Sequence, residues 1–168
     1  MASTNQKIKK LALTGLFMAM TYVLTAFFHI PTIKGYVHVG DAIVFIASCV
    51  LPTPYAIASA SIGGALADAL SGYWIWVPAT LLIKGLTALF FTSKKEKVIC
   101  RRNLLALIPA LILCVGGYGL YSGFVIYDSL VAGFADAFAN TMQIVTSAFL
   151  YVILGLAFDK LSLKKKMQ

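Results

Sequence analysis

The chain has 168 residues, of which 60% are hydrophobic and only 12% are charged. A soluble domain of this size does not need so much apolar surface, whereas a membrane bundle needs it on its outside as well as in its core. The formal net charge of +8 does not indicate nucleic acid, because every lysine and arginine except Lys34 and Lys84 lies in a short segment beside a long apolar run, the positive-inside pattern of membrane proteins. These basic segments are residues 7–10, 94–102 and 160–166.

Apolar runs, separated by breakers and basic loops, predict six membrane-spanning helices. The first run has 18 uncharged residues, which is enough to span a membrane and too long for the core of a signal peptide. We therefore expect an all-α membrane protein, a six-transmembrane-helix bundle that forms a single domain over residues 1–168. The predicted helices are residues 11–28, 41–51, 54–71, 75–92, 103–124 and 134–158.

The second predicted helix is unusually short. At about 1.5 Å per residue, residues 41–51 would cover about 16 Å, half of the roughly 30 Å hydrocarbon thickness. Pro52 and Pro54 separate it from the third helix, since proline lacks a backbone donor and disfavours helix in the residue before it. The second helix either begins earlier, near Tyr36, or packs inside the bundle as a short element. Six spans rather than five put the three basic segments on one side, so we expect both termini in the cytoplasm.

Three charged side chains, Asp41, Asp68 and Lys84, fall within the apolar stretch of residues 40–85. Asp68 and Lys84 lie on the third and fourth helices, which a tight turn makes neighbours, so the long lysine side chain could reach the carboxylate. The pair would either hold two helices together or also touch a polar ligand. Asp41 follows Gly40 at the start of the second helix, where a carboxylate would cap free backbone amides.

Amides and ring side chains gather near the predicted outer face. Asn140 and Gln143 are three residues apart and so share a face of the sixth helix. They either hydrogen-bond across helices or line an outward-opening pocket for a neutral heterocycle. Most ring side chains there are expected in an interfacial belt, and one or two could stack on a flat ligand. Those that we name as candidate ligand contacts are Tyr36, His38, Tyr73 and Trp76.

Small residues mark one face of the first helix and one of the third. Gly15 and Ala19 form a small-xxx-small pair, which lets another helix approach closely, and a partner protein could dock there. The small residues of the third helix, Gly63 and Gly64 among them, are expected to pack inside the bundle.

Motifs of enzymes and nucleotide-binding proteins are absent from the sequence. It has no GxxxxGK[ST] phosphate-binding loop, no HExxH motif and no nucleophile elbow. Its three cysteines show neither paired nor metal-ligand spacing. We therefore expect neither an enzyme nor a bound cofactor, and any use of ATP would have to come from partner proteins.

One region carries a family resemblance. The runs GYVHVGDAIVFIA and GGALADALSGYWIWVPATLLIKGL resemble the substrate-binding (S) components of energy-coupling factor (ECF) vitamin transporters. They are most similar to the riboflavin-type subgroup, which includes binders of hydroxymethylpyrimidine and pyridoxine. The resemblance is specific over residues 36–86, and the chain length, the six spans and the cytoplasmic termini fit the same family.

The resemblance implies a vitamin-binding subunit that takes its ligand from outside and topples in the membrane while docked on a transmembrane coupling protein with two ATPase subunits. The family docks through an Ala-xxx-Ala motif in the first helix, which corresponds here to Gly15 and Ala19. Its binding site uses the loop between the first two helices as a lid. On this chain the resemblance indicates the 33–40 loop, with site residues Trp76, Lys84, Asn140 and Gln143.

The lead hypothesis is therefore a binding and translocating subunit in a prokaryotic plasma membrane. The ligand is a small heteroaromatic vitamin or precursor, with pyridoxine or hydroxymethylpyrimidine favoured and riboflavin next. A self-sufficient channel or secondary carrier is the first alternative. The second is a small membrane enzyme with Asp68 and Lys84 as acid and base.

Overall fold

The computed structural model describes residues 4–32 and 35–167. These residues form helices joined by short loops, with one antiparallel two-stranded hairpin. The elements in chain order are α1 (Thr4–Ala26), β1 (His29–Pro31), β2 (Tyr36–His38), α2 (Asp41–Val50), α3 (Thr53–Leu70), a 3₁₀ turn (Trp74–Trp76), α4 (Val77–Phe90), α5 (Arg101–Leu105), α6 (Leu107–Val125), α7 (Leu130–Gly133), α8 (Ala137–Lys160) and α9 (Leu163–Met167).

Every predicted helix corresponds to helix in the structure, with shifts at the ends. α1 begins at Thr4, before the apolar run, because the first basic segment, residues 7–10, is also helical. The fourth predicted helix is divided, since a 3₁₀ turn precedes α4 and Pro78 occupies the first turn of α4. Proline is well tolerated in the first turn of a helix, where its missing N–H would have no partner.

Membrane-spanning character is clearest in three helical segments of the described chain. Thr4–Ala26, Arg101–Val125 and Leu130–Lys160 are long and apolar enough to cross a bilayer, whereas Asp41–Val50 and Trp74–Phe90 are apolar but shorter. The chain is an all-α membrane protein, and the count of six spans stays a prediction.

α2 is a short helix enclosed by the bundle. All ten of its residues are buried, and it contacts α1, α3, α4 and α8. Phe45 on α2 stacks on Phe91 with ring centroids 5.0 Å apart, and Tyr151 of α8 meets Phe45 edge-on at 5.9 Å. Of the two readings of this short helix, the structure therefore supports the one in which it packs inside the bundle and begins at Asp41.

Glycines of α3 and α4 allow close helix packing. A Cβ at Gly63 would lie 2.8 Å from the Met18 carbonyl oxygen of α1, and one at Gly85 would lie 2.6 Å from the Ser61 hydroxyl. The small face of α3 thus packs inside the bundle, as expected. Gly15 on α1 has nothing within 4 Å of its Cβ position and lies on an exposed face.

The hairpin lies across one end of the bundle, which we call the hairpin end. Its strands pair with His29 opposite His38 and Pro31 opposite Tyr36. Thr32 N–H donates to the Gly35 carbonyl at 2.9 Å across the tip. Two residues of the predicted 33–40 lid, 33 and 34, lie outside the described residues.

The three basic segments meet at the opposite end, which we call the basic end. The Lys9 ammonium donates to the Lys166 carbonyl at 3.1 Å, and the Lys164 ammonium donates to the Lys95 carbonyl at 2.5 Å. Asp159 accepts the backbone N–H of Val98 at 2.7 Å and so fastens the loop between α4 and α5 to α8. Hydrogen bonds therefore tie the N-terminal helix, this loop and the C-terminal residues together.

Candidate functional site

A cavity opens at the hairpin end, between β2, the loop that precedes it, α3, α4, α6 and α8. It encloses about 490 Å³ of empty space, counting its open mouth. Its lining residues are Thr32, Gly35, Tyr36, His38, Asp68, Trp76, Thr80, Tyr118, Ser122, Asp136, Asn140 and Gln143.

Most of the candidate ligand contacts predicted from sequence meet in this cavity. Two do not line it. The Tyr73 ring packs behind Tyr36, with centroids 4.7 Å apart, and Lys84 is buried and bound to another residue. The predicted contacts that line the cavity are Tyr36, His38, Asp68, Trp76, Asn140 and Gln143.

The predicted pairing of Asp68 with Lys84 is wrong. The Lys84 ammonium lies 2.6 Å from Oδ1 of Asp41, and the two side chains are only 3% and 1% exposed. α2 lies inside the bundle next to α4, so Asp41 meets Lys84 in the interior. The predicted capping role of Asp41 is also wrong, since Gly40 occupies the cap position and no side chain caps the helix.

Gln143 joins this ion pair to the hairpin. Its Nε2 donates to Oδ2 of Asp41 at 2.7 Å, and its Oε1 accepts the backbone N–H of His38 at 3.3 Å. Gln143 therefore links helices and also lines the cavity, so the two roles considered from sequence are compatible. Asn140 lies about one turn away on the same face of α8 and lines the cavity too.

Asp68 has one satisfied and one unsatisfied oxygen. Its Oδ1 accepts the Tyr36 hydroxyl at 2.5 Å. Its Oδ2 is buried and makes no hydrogen bond to any residue that the structure describes. Burial, and next the Asp68 carboxylate, hold the pKa of Tyr36 well above its usual range. Tyr36 thus keeps its proton and is the donor.

Aromatic rings form one wall of the cavity. The Trp76 ring lies 5.8 Å from that of Tyr118, centroid to centroid. The Tyr118 hydroxyl lies 3.0 Å from Oγ1 of Thr80, and the Lys84 ammonium lies 5.5 Å from the Tyr118 ring centroid. A Cβ at Gly35 would lie 3.4 Å from Nε1 of Trp76, so the hairpin packs closely on this wall.

Sequence reasoning missed several lining residues, and spacing could have found some of them. Thr80 lies one turn before Lys84, and Tyr118 lies one turn before Ser122, so each pair shares a helix face. The missed lining residues are Thr32, Gly35, Thr80, Tyr118, Ser122 and Asp136.

His38 is neutral in this setting. It lies in the hairpin and is only 9% exposed. Burial lowers its pKa from the usual 6.5 to about 3, and Lys84 acts in the same direction. Its Nδ1 accepts the backbone N–H of Gly40 at 3.1 Å. Within residues 4–32 and 35–167, no three His, Cys, Asp or Glu residues are grouped to hold a metal ion.

The face of α1 that carries Gly15 and Ala19 is open. Both residues are exposed, and large apolar neighbours on the same helix are exposed as well, Leu16 at 51% and Met20 at 38%. The described chain therefore leaves room for another helix to pack against this face.

Comparison with known proteins identifies the family. A family model described as "ECF-type riboflavin transporter, S component" matches residues 5–160. A search of curated proteins found no match. The matched region covers nearly all of the chain and includes every side chain of the cavity. The chain therefore belongs to the family of ECF-type riboflavin transporter S components, which are membrane transporter subunits and not enzymes.

Proposed function

We propose that this protein is the high-affinity substrate-binding and translocating subunit of an ECF-type vitamin importer, and that its ligand is a small heteroaromatic vitamin or precursor. Pyridoxine and hydroxymethylpyrimidine are favoured, with riboflavin next. The observation that carries the proposal is the cavity at the hairpin end, in which ring side chains and polar atoms from separate elements surround one space.

The chemistry of the cavity suits a flat, compact ring. Trp76 and Tyr118 offer ring faces for stacking, while Asn140, Gln143 and Asp68 offer hydrogen-bonding atoms. We propose that Tyr36, His38 and Trp76 also contact the ligand, with Tyr73 supporting Tyr36 from behind and Lys84 acting through Asp41.

The proposed arrangement in the membrane has six spans, both termini in the cytoplasm, and the cavity facing outward across a prokaryotic plasma membrane. The meeting of the three basic segments at the end opposite the hairpin supports this arrangement. Basic residues concentrate on the cytoplasmic side of membrane proteins. The hairpin would then act as the lid on the outer side.

The proposed partners are an ECF transmembrane coupling protein and two ATPase subunits. The exposed Gly15 and Ala19 face of α1 would dock the coupling protein, since small residues let helix backbones approach closely. The sequence lacks a phosphate-binding loop, so ATP hydrolysis would be supplied by these partners.

Calorimetric titration of the purified protein tests the proposal. Pyridoxine, hydroxymethylpyrimidine, riboflavin and thiamine are added separately in detergent without nucleotide. We expect one of them to bind with submicromolar affinity. Absence of binding across the panel would refute the proposal.

Uptake into liposomes tests the mode of transport. Liposomes with the protein alone should take up almost none of the bound vitamin, and liposomes that also contain the coupling protein and ATPases should take it up when ATP is present. Uptake by the protein alone would instead identify a self-sufficient carrier.

A further inference from the structure

The carboxylate of Asp68 lies where the hairpin meets the cavity. Its side chain is on α3 and lines the cavity, and the residue is 5% exposed. Tyr36 reaches it from β2 and donates to Oδ1 at 2.5 Å. Asp68 therefore holds the hairpin with one carboxylate oxygen.

The second oxygen has no hydrogen bond of its own within the described chain. The Thr80 hydroxyl lies near this carboxylate but is engaged at 3.0 Å with the Tyr118 hydroxyl. Oδ2 of Asp68 is buried without a hydrogen bond to the described residues. The nearby cation, Lys84, pairs with Asp41 at 2.6 Å and makes no ion pair with Asp68. A buried carboxylate oxygen left unpaired costs free energy, so a donor from a bound molecule would be strongly favoured at this position.

The charges around the cavity restrict what such a molecule can carry. Asp68 and Asp136 are both in the lining, and the described lining residues include no lysine or arginine. A phosphate ester would therefore meet two carboxylates and no described cation. A neutral or cationic ring with a hydroxyl or amino donor would satisfy Oδ2.

We propose that Asp68 holds the hairpin through one carboxylate oxygen and the ligand through the other, and that it selects unphosphorylated heteroaromatic ligands with a hydroxyl or amino donor. This inference rests on the proposed function and adds the chemical class of the ligand. The ligand and the hairpin would then share one carboxylate, since Tyr36 donates to Oδ1 and the ligand would donate to Oδ2.

The first test compares each ring with its phosphate ester by calorimetry on the native protein. The probes are pyridoxine, hydroxymethylpyrimidine, riboflavin and thiamine, each compared with its monophosphate ester. For the ring that binds, we expect the unphosphorylated form to bind roughly a hundredfold more tightly or better, because like charges brought together are strongly unfavourable. Equal affinity for the two forms would overturn the inference.

The second test changes the charge of Asp68 and keeps its shape. Asp68→Asn should weaken the binding of the unphosphorylated ring about ten- to a hundredfold, the usual effect of losing a hydrogen bond to a charged group. It should also reduce the ratio between the affinity for the unphosphorylated ring and the affinity for its phosphate ester. Asp128→Asn is the matched control, since Asp128 is exposed in a loop and lies outside the cavity lining, and it should bind as the native protein does. Native affinity in Asp68→Asn would contradict the inference.

The third test addresses the hairpin. Tyr36→Phe removes the hydroxyl that Asp68 accepts and should raise the ligand dissociation rate about tenfold, measured by stopped-flow fluorescence. Tyr121→Phe is its control, because that hydroxyl makes a bond of the same length, 2.5 Å, to the Ile75 carbonyl outside the cavity lining. An unchanged dissociation rate in Tyr36→Phe would refute the shared role of Asp68.

The outcomes distinguish a failure of the proposed function from a failure of the inference about Asp68. If no vitamin in the panel binds, the proposed function and this inference fail together. If a ring binds but either the phosphate comparison or Asp68→Asn lacks the expected effect, the proposed function stands and the inference fails.

Discussion

Replacement of Lys84 by methionine should destabilise the protein strongly. The side chain is 3% exposed and lies 2.6 Å from Asp41, whose own side chain is 1% exposed. Methionine fills a similar volume but leaves the carboxylate with Gln143 as its one side-chain hydrogen-bond partner among residues 4–32 and 35–167. Removal of one member of a buried ion pair costs about 3–5 kcal/mol, because the other charge remains buried without compensation. For a chain of this length that corresponds to a fall in Tm of about 6–20 °C.

The assay is thermal unfolding in detergent, followed by intrinsic fluorescence, with two further variants. Lys160→Met changes an exposed lysine at the basic end and should alter stability by no more than about 0.5 kcal/mol. The double variant Asp41→Asn with Lys84→Met removes both charges of the pair, so it should be clearly more stable than Lys84→Met alone. If the two changes simply add, or if Lys84→Met unfolds within about 2 °C of the native protein, the reasoning about this ion pair is refuted.

Three other predictions concern docking, binding and pH. Gly15→Leu or Ala19→Leu should impair assembly with the coupling protein in a pull-down while vitamin affinity stays native, because added bulk prevents close helix approach. The control is Gly116→Leu, at a site on α6 that also has nothing within 4 Å of its Cβ position. Equal impairment in the control would count against a specific docking face. Asn140→Ala should weaken vitamin binding by about 1–3 kcal/mol in calorimetry, since a ligand polar group would lose its partner; unchanged affinity would assign Asn140 a purely structural role. The pKa of His38 is lowered to about 3 in the folded state, so at this side chain only the unfolded chain gains a proton as the pH falls below 6.5. The free energy of unfolding should therefore drop by about 2 kcal/mol between pH 8 and pH 5. In His38→Gln, which keeps an acceptor but does not titrate, this drop should be absent, and a pH profile identical to that of the native protein would refute a neutral, buried His38.

The sequence predicted the helices well because their signals are local. Apolar runs and prolines are visible in the chain itself, and Pro52 marks the turn between α2 and α3 in the structure as it does in the sequence. Whether α2 lies inside the bundle or against lipid was harder to predict. Nine of its ten residues are apolar or small, the exception being Asp41, and such a composition suits either lipid contact or complete burial.

The ion pair was mispredicted because pairing depends on how helices are placed. Sequence reasoning correctly required a partner for Lys84 in the apolar interior. It chose Asp68 from the adjacent helix in the chain, whereas Asp41 of the enclosed α2 lies nearer. The identity of the partner follows from three-dimensional packing that helix order alone does not specify.

The hairpin was expected only as a loop between the first two helices. Its two strands have three residues each, too few for an alternating pattern to be recognised. The close contact between Gly40, which follows the hairpin, and α1 is likewise not predictable from the sequence. A Cβ at Gly40 would overlap the Thr25 side chain of α1, so only glycine fits there.

The short length of α2 gives the bound vitamin a part in the architecture. Its ten residues cover about 15 Å, and the cavity begins beside its first turn, where Gln143 reaches Asp41. A ligand in this space would contact Gln143, which holds the first turn of α2 through Asp41. Ligand at a hundred times its Kd should accordingly add about 2.7 kcal/mol to the free energy of unfolding. The ligand-free protein should then unfold at a lower temperature than the ligand-bound protein.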